Sequence, residues 1–260
     1  MNTPKWLTRP LYRVYESRLQ RSLDPERLPN HVGVILDGHR RYVRDVGLPD
    51  YESGYRVGMD KFAEFLSWSR SLDIPAVTCW LLSKENLARP DDELEPYYDV
   101  LIDLFRQLPE LARRGKWSVR FIGSLDLLPA PLVKVAKEAE ETSQFGEHRL
   151  TIALAYGGRQ EIVDAVRDLV DGLVAEGISP EELADRVDAE AIARHLYTAD
   201  LPDPDLVIRT SGESRLSGFL LWQSAYSEFG FVDVFWPAFR RVDFLRALRD
   251  FTRRQRRFGK

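Results

Sequence analysis

A carboxylate and a pair of arginines follow the first buried strand that the sequence predicts. The apolar run at 32–36 is typical of a strand buried on both faces, and it ends at Asp37-Gly38, with Arg40 and Arg41 close behind. Ligands of an open parallel sheet bind beyond the carboxyl ends of its strands. There a carboxylate can hold Mg²⁺, and guanidinium groups bind phosphate oxygens bidentately. The stretch therefore indicates a Mg²⁺-assisted diphosphate site, with a plain Asp-Gly turn before an exposed basic helix as the alternative.

A second arginine-bearing loop follows a later predicted strand. Arg209 ends this strand, and Arg215 and Ser217 lie in the loop of small residues after it. Ser83 and the pair Gly157-Gly158 also stand where strands are predicted to end, so one edge of the sheet would collect all of these groups. Guanidinium groups and the amides of such a loop can bind a diphosphate. The alternative is a surface loop with one structural arginine.

The usual nucleotide-binding and hydrolase signatures are missing from the sequence. It contains no G-x-G-x-x-G after the first strand, no G-x-x-x-x-G-K-[ST] and no G-x-S-x-G. The acidic stretch 91–95 resembles half of an aspartate-rich metal box. We interpret it as a helix N-terminus, where carboxylates interact favourably with the helix dipole.

Composition and charge narrow the class of protein. The chain has 260 residues, of which 44% are hydrophobic and 30% charged, as is ordinary for a globular protein. The formal net charge of −4 argues against a general nucleic-acid binder. The single cysteine, Cys79, fits a reducing compartment, and no segment has the roughly 20 apolar residues of a membrane span. We therefore expect a cytoplasmic protein.

Residues 1–30 are predicted to form an amphipathic extension ahead of a catalytic domain at 31–260. Between Lys5 and Arg21, aromatic and aliphatic residues alternate with basic ones. Such a segment could lie on an anionic membrane surface, or it could pack against the body of the protein or a partner. The sequence leaves both interpretations open.

Strands and helices alternate along the rest of the chain. Further strands are predicted at 74–83, 117–124, 150–156, 205–209 and 231–236, and helices at 53–71, 91–114, 131–144, 160–175, 178–196, 216–227 and 242–258. This alternation predicts a single α/β domain with a six-stranded, mostly parallel sheet flanked by helices. The helices at 53–71 and 91–114 are rich in aromatic and aliphatic residues, so a cleft between them would suit a lipid diphosphate.

Five motifs in this order resemble a known family. They are H-V-G-V-I-L-D-G-H-R-R-Y at 31–42, W-L-L-S-K-E-N-L-A-R-P at 80–90, A-Y-G-G-R at 155–159, D-L-V-I-R-T-S-G-E-S-R-L-S at 205–217 and F-L-L-W-Q-S-A-Y-S-E at 219–228. Together they resemble the cis-prenyltransferases, the undecaprenyl diphosphate synthase family. More narrowly, the chain resembles the short-chain actinobacterial members that make (2Z,6E)-farnesyl diphosphate.

The resemblance implies a homodimer with a hydrophobic tunnel, which condenses isopentenyl diphosphate with an allylic diphosphate in the presence of Mg²⁺. It implies that Asp37 binds the metal and takes part in catalysis, that Glu228 is the second metal ligand, and that Asn86 accepts a proton. It places the allylic diphosphate among Gly38, His39, Arg40, Arg41, Tyr42 and Tyr55, with Ser83, Lys84, Glu85, Leu87 and Arg89 from the second motif. Isopentenyl diphosphate would bind at Arg209, Arg215, Leu216 and Ser217, and Arg257-Phe258-Gly259 resembles a C-terminal R-x-G that reaches the partner subunit's site.

Two departures from the family pattern bear on function. His39-Arg40 stands where the family usually has Asn-Gly, and the arginine usual near residue 50 is missing, so Arg40 could supply the lost charge. Leu81 stands where long-chain members carry a small alanine, which predicts a C15 product from geranyl diphosphate. The alternatives are a medium- or long-chain polyprenyl diphosphate synthase and a noncatalytic subunit that binds prenyl diphosphate.

Overall fold

Six parallel strands form the sheet, as the sequence predicts. The structure is a computed structural model that describes residues 5–254; in the first helix it describes the side chains of Tyr12 and of the residues from Val14 onward. The strands are β1 (His31–Ile35), β2 (Ala76–Trp80), β3 (Trp117–Ile122), β4 (His148–Ala153), β5 (Leu206–Arg209) and β6 (Glu228–Phe231), in the spatial order β3-β4-β2-β1-β5-β6. Every neighbouring pair is parallel, which confirms the predicted fold class.

Helices connect these strands and cover both faces of the sheet. They are α1 (Lys5–Arg21), α2 (His39–Val46), α3 (Tyr51–Ser71), α4 (Asp91–Gly115), α5 (Ala130–Glu141), α6 (Gly158–Ala175), α7 (Pro180–Arg186), α8 (Ala189–His195) and α9 (Arg241–Arg253). Val32 and Val34 of β1 belong to a large core with residues of α3, α4, α5 and α9. Ile35 belongs to a smaller core on the other face, around Phe219 and Leu220. Burial on both faces explains why the strands read as continuous apolar runs.

The point where the strand order reverses lies between β1 and β5. The chain leaves β1 towards β2 on one side of the sheet, whereas it leaves β5 towards β6 on the other. Loops after two such strands diverge, and they leave a crevice beyond the carboxyl ends of the strands where ligands of α/β proteins bind. Asp37 and Arg209 stand at this crevice.

The predicted strand at 231–236 is wrong, because β6 lies earlier, at Glu228–Phe231. The amide of Glu228 already donates to the Asp205 carbonyl (2.9 Å), so pairing with β5 begins there. By residue 236 the chain has turned across the end of β1, where the Trp236 amide donates to the Asp37 carbonyl at 2.9 Å. Both stretches are apolar and aromatic, and periodicity does not separate a strand from the turn that follows it.

The predicted helix at 216–227 is also wrong. Ser217, Gly218 and Leu220 have φ angles of 53°, 91° and 44°, which no right-handed helix contains, and only Gln223–Tyr226 forms a 3₁₀ turn. The polar region at 178–196 is helical as predicted, but it is divided into α7 and α8. The last helix is described as far as Arg253, and the R-x-G stretch at 257–259 lies outside the described residues.

Helix α1 packs on α9. The rings of Tyr12 and Tyr15 lie under the guanidinium groups of Arg240 and Arg246, at 5.5 and 5.3 Å from Cζ to ring centroid, and Leu19 is buried in the main core. For the described side chains, the aromatic face of this helix is therefore in contact with the body of the protein. None of the helices in the described range is long and apolar enough to cross a membrane.

Two helical glycines should respond in opposite ways to alanine. A Cβ at Gly58 of α3 would lie 2.2 Å from Nε2 of the buried His39 ring, whereas at Gly172 of α6 it would meet nothing within 4 Å. Gly58→Ala should lower the free energy of unfolding by about 1–3 kcal/mol through overpacking. Gly172→Ala should raise it by about 0.4–1 kcal/mol, because alanine restricts the unfolded chain. Urea unfolding of both variants measures the difference, and equal stabilities would contradict the packing of α3 on His39.

Candidate active site

A pocket of about 480 Å³ opens beyond the carboxyl ends of β1, β2 and β5. Thirteen of the residues predicted from sequence line it: Asp37, Gly38, His39, Arg40, Arg41, Tyr55, Leu81, Ser83, Asn86, Arg89, Arg209, Arg215 and Ser217. The structure thus brings together the two arginine-bearing loops and the second motif, which are far apart in the sequence.

Asp37 is held at the centre of this pocket by its backbone. Its amide donates a hydrogen bond to the Thr210 hydroxyl, with 3.0 Å between N and Oγ1, and its carbonyl accepts one from the Trp236 amide. Its carboxylate oxygen Oδ2 accepts from Nη2 of Arg209 at 2.8 Å and of Arg41 at 3.3 Å. Burial raises the pKa of this carboxyl, but the hydrogen bonds from Arg209 and Ser211 and the arginine charges outweigh burial and lower it. Asp37 is therefore an anion at neutral pH.

Gly38 allows the chain to turn from β1 into α2. Its φ of 107° belongs to the region that side chains rarely adopt, and a Cβ there would lie 2.7 Å from the ring of Phe235. The turn places Arg40 and Arg41 in the first turn of α2, beside the carboxylate of Asp37.

Three arginines of the pocket, Arg41, Arg209 and Arg215, are paired with carboxylates or hydroxyls of the same chain. Arg41 contacts Glu213 at 3.0 Å and the Ser211 hydroxyl at 2.7 Å, and Arg215 pairs with the other oxygen of Glu213. Arg209 donates from Nη1 to the Ser217 hydroxyl at 2.8 Å. Its Nε is buried without a hydrogen-bond partner among the described residues.

Arg40 has a separate partner across the pocket mouth. Its Nη1 lies 2.8 Å from Oε2 of Glu93, in the first turn of α4. The side chain lines the pocket and is 38% exposed. Arg40 is therefore close enough to meet an incoming phosphate, but part of its charge is already balanced by Glu93.

His39 is a buried, neutral member of the pocket wall. Its ring packs against Tyr55 and Tyr97, at centroid distances of 5.7 and 6.5 Å, and against the backbone of Gly58. Burial lowers the pKa of His39 from 6.5 to about 4; the Asp37 carboxylate raises this pKa and the charge of Arg89 lowers it, but both effects are smaller than that of burial. The ring therefore adds no positive charge to the site near pH 7.

The second motif forms a short 3₁₀ helix, Lys84–Ala88, at the end of β2. Ser83 caps it: its hydroxyl accepts from the Asn86 amide at 3.1 Å, and the Asn86 side-chain oxygen accepts from the Ser83 amide. The side-chain oxygen of Asn86 is thus used in the cap, while the residue lines the pocket. Arg89 ends the helix and also lines the pocket.

Six of the predicted site residues do not line the pocket: Tyr42, Lys84, Glu85, Leu87, Leu216 and Glu228. Lys84 donates to Gln160 at 2.7 Å, Glu85 is exposed, and Tyr42 lies on α2 outside the lining. Leu87 and Leu216 pack against the two cores. Leu87 and Leu216 therefore help to hold the two loops in place.

Glu228 is not brought to Asp37 within one chain. It begins β6, where it pairs with Leu206, three residues before Arg209. At about 3.3 Å per residue this places it about 10 Å along the strand from the pocket edge. Its carboxylate accepts from Arg254 at 2.7 Å. The chain therefore supplies one of the two predicted metal ligands to its own pocket.

Sequence reasoning missed Glu213, Tyr97 and Leu36, all of which line the pocket. Glu213 stands between two arginines of the quoted motif, and that spacing was the available signal. Tyr97 and Leu36 read as ordinary core residues of a helix and a strand, so no sequence signal distinguished them.

The donor atoms present fit Mg²⁺ bound together with phosphate oxygens. No group of three or more His, Cys, Asp or Glu side chains within residues 5–254 could hold a metal by itself. Mg²⁺ is usually bound through one or two carboxylates, phosphate oxygens and water. Asp37, ionised and 28% exposed in its side chain among several arginines, matches that pattern.

Comparison of the sequence with models of known protein families identifies the family of this chain. The family model described as "Putative undecaprenyl diphosphate synthase" matches residues 35–259. The chain belongs to this prenyltransferase family.

Similar proteins of known name cover nearly the whole chain. A (2Z,6E)-farnesyl diphosphate synthase from Mycolicibacterium smegmatis is 51% identical over 99% of this chain and 98% of its own. A protein of the same name from Thermobifida fusca is 54% identical over 96% of this chain and 97% of its own. The crystal structure of lavandulyl diphosphate synthase from Lavandula x intermedia with dimethylallyl diphosphate superposes with a TM-score of 0.85, at 33% identity, over 90% of this chain and all of that one. The resemblance seen in the motifs is confirmed, and the fold is that of the cis-prenyltransferases.

The buried His39 should make stability depend on pH. Because its pKa is 6.5 in the unfolded chain and about 4 in the fold, the unfolded chain binds the proton first as pH falls. Between pH 6.5 and 4 the free energy of unfolding should therefore fall by up to about 3 kcal/mol from this residue. His39→Asn should remove that part of the slope in urea unfolding measured across this range. His195→Asn on α8 is the matched control, and a slope that His39→Asn leaves unchanged would contradict the assignment.

Proposed function

We propose that this chain is a Mg²⁺-dependent short-chain cis-prenyl diphosphate synthase. It would condense isopentenyl diphosphate with geranyl diphosphate to give (2Z,6E)-farnesyl diphosphate and inorganic diphosphate. One observation carries the proposal: the carboxylate of Asp37 lies between Arg209 and Arg41 at the crevice of β1 and β5. The same pocket has an apolar wall of Leu36, Leu81 and Tyr97. A lipid diphosphate needs both an anion site and an apolar surface.

The two diphosphates divide the pocket between them. The allylic diphosphate would bind over Gly38, Arg40 and Arg41, where backbone amides and guanidinium groups converge. Isopentenyl diphosphate would bind at Arg209, Arg215 and Ser217. Each diphosphate would displace carboxylate partners from the arginines, above all Glu213, which touches both Arg41 and Arg215.

The reaction begins as the allylic C–O bond breaks and charge builds on the leaving diphosphate. Mg²⁺, when bound, neutralises part of this charge as a Lewis acid. Arg40 and Arg41 stabilise the same oxygens by charge-assisted hydrogen bonds. The alkene C4 of isopentenyl diphosphate then bonds to the allylic C1, and loss of a proton from C2 forms the new cis double bond. Asp37 fixes the position of Arg209 and Arg41 throughout.

Two groups could accept the released proton. Asn86 is a weak base, and its side-chain oxygen already accepts from the Ser83 amide. An oxygen of the departing or the bound diphosphate is the stronger base. We therefore assign Asn86 the role of positioning the reacting groups or relaying the proton, and a diphosphate oxygen the role of final proton acceptor.

A short product is supported by where the pocket ends. Tyr55, Leu81 and Tyr97 line it, whereas Phe62 and Leu101, buried in the contact of α3 and α4, do not. The pocket lining stops at this wall, and the long tunnel implied by the family would need the wall to open. A medium- or long-chain product is the alternative.

We also propose that the active form is a homodimer that uses the edge beside β6. β6 ends the sheet, and Phe231 and Tyr226 near it are 43% and 75% exposed. Glu228 and Arg254 lie at the same edge, so a second copy packed there could bring Glu228 closer to a pocket than one chain allows. A cytoplasmic location, predicted from the sequence, completes the proposal.

The direct test is an assay of purified protein with Mg²⁺, labelled isopentenyl diphosphate and geranyl diphosphate, followed by sizing of the products. A C15 diphosphate should form, and Asp37→Asn should lower kcat by about 10²–10³-fold because the charge that orders the arginines is lost. Asp45→Asn removes an exposed carboxylate on the following helix, α2; it is the control and should retain activity. Binding of both diphosphates without any condensation would support the noncatalytic subunit instead.

Leu81→Ala should lengthen the products. The side chain is 7% exposed in the pocket wall, and its removal leaves space for further isoprene units. Chromatography of the dephosphorylated alcohols should show a larger share of chains beyond C15 than the unsubstituted enzyme makes. An unchanged product profile would contradict a wall at Leu81.

A further inference from the structure

Tyr97 of α4 joins three elements at the inner end of the pocket. It is 3% exposed and lines the pocket. Its hydroxyl donates to the backbone carbonyl of Leu81 at 2.7 Å, which ties α4 to the end of β2. Its ring lies 4.5 Å from that of Tyr55 on α3, centroid to centroid, at an interplanar angle of 48°. The two helices and the strand are therefore bridged at one level.

This bridge lies between the polar pocket and the apolar interior. The ring of His39, which also lines the pocket, packs on both tyrosines, whereas Phe62 and Leu101 lie in the core without lining the pocket. An apolar tail that extends inward between α3 and α4 has to displace the Tyr97 ring or pass it. Close-packed walls of this kind do not yield freely.

The bridge does not depend on the side chain of Leu81. Its acceptor is a backbone carbonyl, which every substitution at position 81 retains. Burial raises the pKa of Tyr97, so its hydroxyl remains a donor at neutral pH. Removal of the Leu81 side chain therefore opens one side of the wall and leaves the tyrosine side closed.

We propose that Tyr97 is a second determinant of product length, acting together with Leu81 as the two sides of one wall. The inference rests on the proposed condensation, and it adds the residue that limits the length of the chain on the α4 side. Tyr55 supports Tyr97 from α3 and has no such hydrogen bond to the sheet.

The test compares Leu81→Ala, Tyr97→Leu and the double variant, with geranyl diphosphate and labelled isopentenyl diphosphate. Leucine keeps the site apolar, but it lacks the ring and has no donor for the Leu81 carbonyl. Tyr97→Leu should raise the share of products longer than C15 about tenfold, as expected when a pocket gains space for a few methylene groups. The double variant should make longer chains than either single variant. Tyr97→Phe keeps the ring without the hydrogen bond, and should cause a smaller shift in the same direction.

Tyr98→Leu is the matched control, because Tyr98 is the next residue of α4, is only partly buried and does not line the pocket. It should leave the product profile unchanged. Thermal unfolding checks that each variant is folded, and if Tyr97→Leu is not, Tyr97→Phe carries the test. A double variant whose products match those of Leu81→Ala, or a Tyr98→Leu shift as large as that of Tyr97→Leu, would overturn the inference. Failure of the unsubstituted enzyme to make any prenyl product would instead reject the proposed function.

Discussion

The ion pair between Arg209 and Asp37 is the interaction on which the site depends. It joins the ends of β1 and β5, with 2.8 Å between Nη2 and Oδ2, and the Arg209 side chain is only 7% exposed. A buried guanidinium is costly unless anions satisfy it. The one carboxylate oxygen that Arg209 contacts is shared with Arg41. The other partners of Arg209, the Arg215 carbonyl and the Ser217 hydroxyl, are uncharged, and Nε has no partner among the described residues. The pocket is therefore built to receive further negative charge.

The surrounding structure fixes this pair from several directions. Thr210, directly after β5, and Trp236, in the turn across the end of β1, hold the backbone of Asp37, and Gly38 turns the chain so that α2 begins over the pocket. The opposite side is apolar, because Leu81 and Tyr97 close the space between β2 and α4. An anion site and an apolar wall that share one pocket of about 480 Å³ suit an amphiphilic substrate with a diphosphate head.

Much of this arrangement follows from the sequence, for a physical reason. Strands buried on both faces appear as short apolar runs, and the polar residues that end them, such as Asp37 and Arg209, must meet at one edge of a parallel sheet. The position of β6 could not be predicted from the sequence, because the aromatic stretch after Phe231 has the same strand-like pattern as β6 itself. The turn after Ser217 could not be predicted from the sequence either, because nothing in the residue types of Ser217 and Leu220 requires a positive φ. Tyr97 could not be distinguished from other core positions of an amphipathic helix, because only the fold places its hydroxyl at the end of β2.

The central claim is that Asp37 and the arginines of two loops form one diphosphate site with Mg²⁺. The most direct measurement is a crystal structure of the protein with Mg²⁺ and isopentenyl diphosphate. We expect the diphosphate to contact Arg209, Arg215 and Ser217, the cation to be held by the Asp37 carboxylate, and Glu213 to be displaced from at least one arginine. A diphosphate bound elsewhere, or a cation that does not touch Asp37, would contradict the account.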